Sequence, residues 1–169
     1  MHRARPGIAK PGIAKPGTVR PGAAEPGTAE PGILITMSRS PSVSVVFVCH
    51  DGAGRILLAR RSAGARDEPG AWDCGAGALE YGETFEAAVS REVTEEYSAE
   101  PLSIEQAGVR NVLRGDSHWV AVIFRVRLDP DRVRIGEPHK FDQLGWFAPG
   151  QLPAPVHSQL SATLVLAAH

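Results

Sequence analysis

Residues 75–99 read GAGALEYGETFEAAVSREVTEEYSA, and this segment decides the fold that we expect. Phe85, Val89 and Val93 recur every fourth residue, which is the spacing of side chains on one face of a helix. Ala88 lies beside them. The pattern predicts a helix whose apolar stripe packs against a core.

The opposite face of this helix carries three carboxylates. Glu95 and Glu96 follow Glu92 by three and four residues, so like charges lie close together and repel one another. We expect a cation to neutralise them. The alternative is an ordinary solvated acidic face, which is the usual explanation for an isolated glutamate-rich helix.

The spacing of residues around the helix favours a functional cluster. Gly77, five residues, Glu83, seven residues and then REVTEE at 91–96 match the pattern G-x5-E-x7-R-E-U-x-E-E-x-G-U, where U is aliphatic, at every position but one. This pattern is the Nudix box, and the chain resembles the MutT-like Nudix hydrolases. The resemblance implies an α+β fold, an α/β/α sandwich with a mixed β-sheet.

Two departures from the family pattern have structural consequences. Ser98 stands at the last glycine of the box, where a left-handed backbone costs any other residue about 1 kcal/mol. Residues 73–77, DCGAG, replace the commoner leucine-proline-glycine-glycine, so we expect this loop to run differently. A backbone carbonyl here binds metal in the family, and the resemblance assigns that role to Ala76.

The resemblance also implies a reaction, the hydrolysis of a diphosphate linkage in a nucleotide. Clustered carboxylates without His or Cys are hard oxygen ligands, which suit Mg²⁺ or, alternatively, Mn²⁺. The implied metal ligands are Glu92, Glu95, Glu96 and the Ala76 carbonyl. Arg91 is expected to orient the glutamates by ion pairing. Glu95 and the downstream Glu137 are the candidate general bases, although a single loop glutamate such as Glu137 is often only solvated.

Substrate identity depends on residues outside the box. His118-Trp119-Val120, then Glu137-Pro138-x-Lys140 and Trp146-Phe147, resemble the branch of the family that converts nucleoside triphosphates to monophosphates. An ADP-ribose or other nucleotide-sugar pyrophosphatase is the alternative, although the proline typical of the ADP-ribose enzymes is missing. A catalytically silent, nucleotide-sensing regulatory domain is a third alternative, which the intact glutamates disfavour.

Composition limits the partners and the compartment. A chain of 169 residues with 43% hydrophobic residues suits one domain, and a net charge of −1 gives no basic surface for a nucleic acid polymer. No apolar run approaches the roughly 20 residues that span a membrane. Cys49 and Cys74 lack disulfide or zinc spacing and are expected to be buried thiols. We therefore expect a cytoplasmic enzyme of small-molecule nucleotides, with its oligomeric state left open.

Residues 1–36 repeat Pro-Gly every five residues. Recurrent Pro-Gly prevents helices and central strands and buries little apolar area, so we expect a disordered arm followed by a Nudix domain over 37–169. The arm is either an interaction segment or a translated tandem repeat ahead of a true start at Met37.

Apolar runs predict the strands of the sheet. Residues 43–50 and 55–61 predict a hairpin, and Arg60 near its end is a candidate for phosphate contact or a solubilising loop residue. Residues 102–115 and 118–128 predict a second antiparallel pair, with the even positions of the latter facing the core. Trp119 lies on the other face and is the second candidate substrate residue.

The end of the chain predicts a short strand and a helix. Residues 143–147, QLGWF, form the strand. Ser158 is the expected N-cap of the helix, with Leu160, Leu164 and Ala168 sharing a face.

Overall fold

The computed structural model describes residues 40–168. The predicted arm at 1–36 and the start at Met37 lie outside that range. The described residues form β1 (Ser42–His50), β2 (Ile56–Arg61), β3 (Trp72–Asp73), β4 (Gly75–Ala78), α1 (Phe85–Tyr97), β5 (Ser103–Arg114), β6 (Ser117–Arg127), β7 (Phe141–Phe147) and α2 (Leu160–Ala167). Neither α1 nor α2 is long and apolar enough to cross a membrane.

The strands join in one mixed sheet of order β3-β2-β1-β6-β5, to which β4 is added on β1 and β7 on β2. β1 and β6 are parallel, and the other pairs are antiparallel. The predicted pairing of β5 with β6 is confirmed. The predicted hairpin of β1 and β2 is confirmed, but the two strands pair at one position only, His50 with Ile56. The remainder of β1 pairs with β4 on this side, and β2 pairs along its length with β7.

The sheet has a hydrophobic core on each face, one under each helix. The core under α1 includes Val45, Phe47, Leu57, Val89, Val93, Tyr97, Val122 and Phe124. The core under α2 includes Val48, Leu58, Trp72, Cys74, Ile123 and Leu160. Two helical layers around a mixed sheet confirm the predicted α/β/α sandwich.

The even positions of β6 face the core under α1 as expected, with Val122, Phe124 and Val126 buried there, and odd positions of this strand are buried as well. Ile123 and Ala121 are buried as fully as Val122 and Phe124. A central strand covered by a helix on each face loses the alternation of polar and apolar residues that a half-exposed strand shows.

Both ends of α1 are capped, and its C-cap is the Ser98 that the box predicts. The Thr84 hydroxyl accepts a hydrogen bond from the Ala87 N–H and caps the first turn. Ser98 adopts the expected left-handed conformation, with φ 49° and ψ 33°, and its N–H donates to the Thr94 carbonyl. The apolar stripe is buried, although Phe85 at its start is only half-buried.

α2 differs from its prediction at both ends. Its N-cap is Gln159, without a side-chain hydrogen bond, so the assignment of Ser158 was wrong. Ser158 bonds to Glu68 instead. Ala168 is exposed, and Thr163 is buried together with Leu160. The strand predicted at 143–147 is confirmed and begins two residues earlier.

Candidate active site

Two glycines in β4 allow α1 to lie directly against the sheet. A Cβ atom at Gly77 would be 1.8 Å from Cδ of Glu92. A Cβ atom at Gly75 would be 1.9 Å from the Phe47 ring and 2.7 Å from Oε2 of Glu96. Since atoms do not approach this closely, any larger residue would push the helix or its side chains away. The absence of side chains at Gly75 and Gly77 therefore makes room for Glu92 and Glu96 of α1.

Two of the three box glutamates on α1, Glu92 and Glu96, are buried rather than solvated. Glu92 is 6% exposed and Glu96 is 2% exposed. Glu95 has a side chain that is 47% exposed. Contact with the β4 backbone causes this burial, and helical periodicity cannot reveal it. Oε2 of Glu96 has no hydrogen-bond partner among the described residues.

Arg91 forms the expected ion pairs with the glutamates. Its Nε and Nη2 donate to the two carboxylate oxygens of Glu83, at 3.0 and 3.1 Å. Its Nη1 lies 2.7 Å from Oε1 of Glu92 and 3.5 Å from Oε2 of Glu95. Nη2 also donates to the Ala78 carbonyl in β4. Glu83 thus orients the Arg91 guanidinium through a bidentate ion pair, and the guanidinium in turn orients the Glu92 carboxylate.

The loop before β7 is attached to the end of α1 and brings in a further acid. The Gly136 N–H donates to the Glu96 carbonyl at 2.9 Å, which satisfies a backbone group left free at the helix end. A Cβ atom at Gly136 would lie 1.9 Å from the Glu95 carbonyl oxygen, so the loop approaches as closely as it does because this residue is glycine. The next residue, Glu137, is close enough for its charge to act on Glu96. We call Glu92, Glu96 and Glu137 the acidic cluster.

Burial controls the acid strength of Glu92 and Glu96. Burial raises the pKa of Glu96 well above its usual range; the charge of Lys140 opposes this shift, and those of Glu92 and Glu137 add to it. Burial also raises the pKa of Glu92, against the opposing ion pair with Arg91. A cation near these groups is therefore favourable.

Lys140, which belongs to the Glu137-Pro138-x-Lys140 motif, contributes a second cation to the site. Its Nζ lies 2.6 Å from Oε2 of Glu137. Although partial burial opposes its charge, this bond and the charges of Glu96 and Glu137 raise the pKa of Lys140. Its position three residues after the candidate base Glu137 is the feature of the sequence from which this contact could be predicted.

Glu92 is paired with Arg91 and Glu137 with Lys140, and the acids do not surround a common point. Among residues 40–168, no three acidic, His or Cys side chains are grouped so that they could hold a metal ion as they stand. Ala76 lies between the two glycines of β4, opposite Val46 of β1. The ligand roles of Glu92, Glu95, Glu96 and Ala76 stay predictions.

The two predicted substrate residues lie on the other face of the sheet. Side chains alternate along β2 and β6, which places Arg60 and Trp119 on the α2 side. Nε of Arg60 is 2.7 Å from Oδ1 of Asp142 in an exposed ion pair. Contact of Arg60 or Trp119 with a substrate stays a prediction.

Comparison with known proteins agrees with this architecture. Residues 39–166 match the NUDIX domain family, and the chain therefore belongs to the Nudix family. It is similar to the MutT NUDIX hydrolase from Burkholderia pseudomallei, with 28% identity and a TM-score of 0.68, over 76% of this chain and 98% of that one. On these grounds it is a Nudix pyrophosphohydrolase. The hydrolases of this family generally use a divalent metal.

Two further relatives are more distant or partial. The NUDIX domain of Shewanella oneidensis NrtR, complexed with ADP ribose, is 18% identical with a TM-score of 0.63, over 77% of this chain and 88% of that one, and shows the fold alone. The isopentenyl-diphosphate Delta-isomerase of Leifsonia xyli subsp. xyli is 44% identical over 64 residues, 35% of this chain and 34% of that protein. The match thus spans about a third of that relative.

Proposed function

We propose that this protein hydrolyses a nucleoside triphosphate to the monophosphate and pyrophosphate, with Mg²⁺ as the metal and Mn²⁺ as an alternative. The observation that carries the proposal is the carboxylate of Glu96, which is 2% exposed and has one oxygen without a hydrogen-bond partner within residues 40–168. A buried unpaired carboxylate destabilises a fold unless a cation meets it. Glu92 and Glu137 add negative charge beside it.

The residues at the site fit a hard divalent cation. The proposed donors are all oxygens, from the carboxylates of Glu92, Glu95 and Glu96 and the carbonyl of Ala76. Oxygen donors of this kind suit Mg²⁺ and Mn²⁺ and disfavour zinc, which takes His and Cys readily. When bound, such a cation offsets the charge of the diphosphate and lowers the pKa of an attacking water.

The protein's own residues prepare the site for that chemistry. Arg91 holds Glu92 in one orientation and is itself fixed by Glu83, so the carboxylate needs little reorganisation. Glu95 is the first candidate for general base, because its side chain is 47% exposed and its contact with Arg91 is long. Glu137 is the second, since its loop is bonded to α1.

Substrate selection is assigned to the α2 side of the sheet. Trp119 offers an aromatic face for stacking on a base. Arg60 offers a guanidinium for phosphate, provided that it leaves its exposed pair with Asp142. These assignments rest on the sequence motifs alone.

A substrate panel tests the reaction. Phosphate and pyrophosphate release is measured with Mg²⁺ and with Mn²⁺ on nucleoside triphosphates, ADP-ribose, nucleotide sugars and isopentenyl diphosphate. We expect a nucleoside triphosphate to give the highest kcat/KM and to release pyrophosphate. Preference for ADP-ribose or a nucleotide sugar would contradict the substrate. Nucleotide binding without turnover would indicate a sensing domain.

Two variants distinguish the candidate bases. Loss of the general base lowers the rate by about 100-fold or more, so either Glu95→Gln or Glu137→Gln should show that loss with the melting temperature little changed. Glu100→Gln is the matched control, because Glu100 is exposed just beyond α1. If Glu137→Gln turns over like the control, Glu137 is not the base.

A further inference from the structure

Lys140 places its ammonium group against the acidic cluster. Nζ is 2.6 Å from Oε2 of Glu137, and the charge of Lys140 also acts on Glu96 and Glu92. The side chain of Lys140 is 42% exposed, whereas that of Glu137 is 19% exposed. The ammonium therefore lies at the solvent side of a largely buried group of acids.

The backbone around Lys140 is fixed, while its side chain is long. The Lys140 N–H donates to the Glu137 carbonyl at 2.9 Å, and the Lys140 carbonyl accepts from the Ser62 N–H at 2.8 Å. These bonds set the position of the Cα atom. The four-carbon side chain can still move its charged end between Glu137 and solvent without any change in the loop.

The two basic side chains at the site, Arg91 and Lys140, neutralise different acids. Arg91 is engaged by Glu83 and Glu92, so its guanidinium has no donor directed at Glu96 or Glu137 among the bonds of the described residues. Among the described residues Lys140 is the nearest basic group to Glu137 and also acts on Glu96, whereas Nε2 of His139 lies 3.8 Å from Oε1 of Glu137. Lys140 is thus the permanently charged group that these two acids share.

We propose that Lys140 is the internal counter-ion of the acidic cluster. Its ammonium group holds Glu137 in the metal-free protein and moves away from Glu137 when a divalent cation binds. This inference rests on the proposed function, because it takes the acidic cluster as part of the metal site. Lys140 is a positioning residue in this account. Its charge both stabilises the metal-free fold and competes with the metal, and so weakens metal affinity.

The test compares Lys140→Met, Lys140→Arg and a control, Arg132→Met. Arg132 has a side chain that is 80% exposed and pairs only loosely with Asp129, at 3.4 Å, so its loss changes the net charge equally at a solvent-exposed position. Mn²⁺ affinity is measured by titration calorimetry without substrate. Melting temperature is measured in EDTA and again with saturating Mn²⁺.

We expect Lys140→Met to bind Mn²⁺ about 3- to 10-fold more tightly than the control, because a positive charge beside the site is gone. In EDTA it should melt at a lower temperature than the control, since the acids lose their counter-ion, and Mn²⁺ should raise its melting temperature by more. Lys140→Arg keeps the charge and should resemble the wild type in both measurements.

The outcomes separate this inference from the function on which it rests. If the wild type binds Mn²⁺ and hydrolyses nucleotides but Lys140→Met matches Arg132→Met in affinity and in EDTA melting, the counter-ion role is overturned while the function stands. If the wild type binds no Mn²⁺, the proposed function fails and competition with a metal is overturned with it. A lower melting temperature of Lys140→Met in EDTA would then support only its pairing with the acids.

Discussion

Replacing Glu96 with glutamine should raise stability and remove activity in the same protein. Glu96 is 2% exposed, and its Oε2 has no hydrogen-bond partner among the described residues. Glutamine has nearly the same shape and no charge, so Glu96→Gln removes an unfavourable buried charge without opening a cavity. It also removes a proposed metal ligand.

The size of the stabilisation follows from the environment of the carboxylate. Burial raises the pKa of Glu96 well above its usual range, which Lys140 opposes and Glu92 reinforces. Glutamine leaves an uncharged amide at the same buried position, so the gain comes from removing the charge and not from satisfying a polar group. Each unit by which burial raises a carboxyl pKa corresponds to about 1.4 kcal/mol, so we expect Glu96→Gln to stabilise the metal-free protein by about 1 kcal/mol or more once the pH is high enough to ionise the Glu96 carboxyl.

The sign of the pH dependence is also fixed. A carboxyl group with a raised pKa in the folded state contributes stability below its unfolded pKa and loses that contribution as the pH rises through the folded pKa. The wild type in EDTA should therefore lose stability with rising pH relative to Glu96→Gln. Glu100→Gln, an exposed control, should follow the wild type.

Denaturation in EDTA at several pH values, together with turnover in Mg²⁺, tests both parts. We expect Glu96→Gln to melt above the wild type and to be nearly inactive with every substrate that the wild type hydrolyses. Equal or lower stability in EDTA would show that the Glu96 carboxylate is already satisfied in the fold. Near wild-type turnover at saturating Mg²⁺ would refute its role as a ligand.

Two other predictions concern close packing and the hydrogen bonds between Ser158 and Glu68. Gly77→Ala should destabilise the protein by about 1–3 kcal/mol and lower activity, because its Cβ would lie 1.8 Å from Cδ of Glu92; Gly150→Ala, with nothing within 4 Å, should leave the melting temperature and turnover unchanged. Bonds from the Ser158 hydroxyl and N–H lower the pKa of Glu68 to about 2. Their stabilisation should be present above pH 4.5 and lost as the pH falls towards 2, so urea denaturation of Glu68→Gln should lack that acid-dependent loss.

The sequence predicted the features that depend on neighbouring residues. The extent of α1 and the left-handed Ser98 follow from a spacing of four and from a single position in the box. The pairing of β5 with β6 follows from two apolar runs around a turn. Each of these patterns is contained in a continuous segment, so no distant contact is needed to recognise it.

The features that the sequence did not predict depend on distant contacts. The burial of Glu92 requires Gly77, fifteen residues earlier, to lie beneath it in the neighbouring strand. Ser158 was assigned as an N-cap because it precedes an apolar run, but its hydroxyl bonds to Glu68, ninety residues away. A rule based on neighbouring residues predicts a local hydrogen bond for such a side chain, but in the folded protein it bonds to a residue distant in sequence.

The position of the acidic cluster makes stability and activity compete within one helix. α1 uses Val89 and Val93 to close a core and, on the adjacent face, buries Glu92 and Glu96 against β4. The core keeps the carboxylates in place, because the helix cannot rotate them into water without exposing its valines. The burial that positions these acids is therefore the same burial that makes their charges costly. Substitutions that relieve that cost should stabilise the fold while removing the charge on which the proposed chemistry depends.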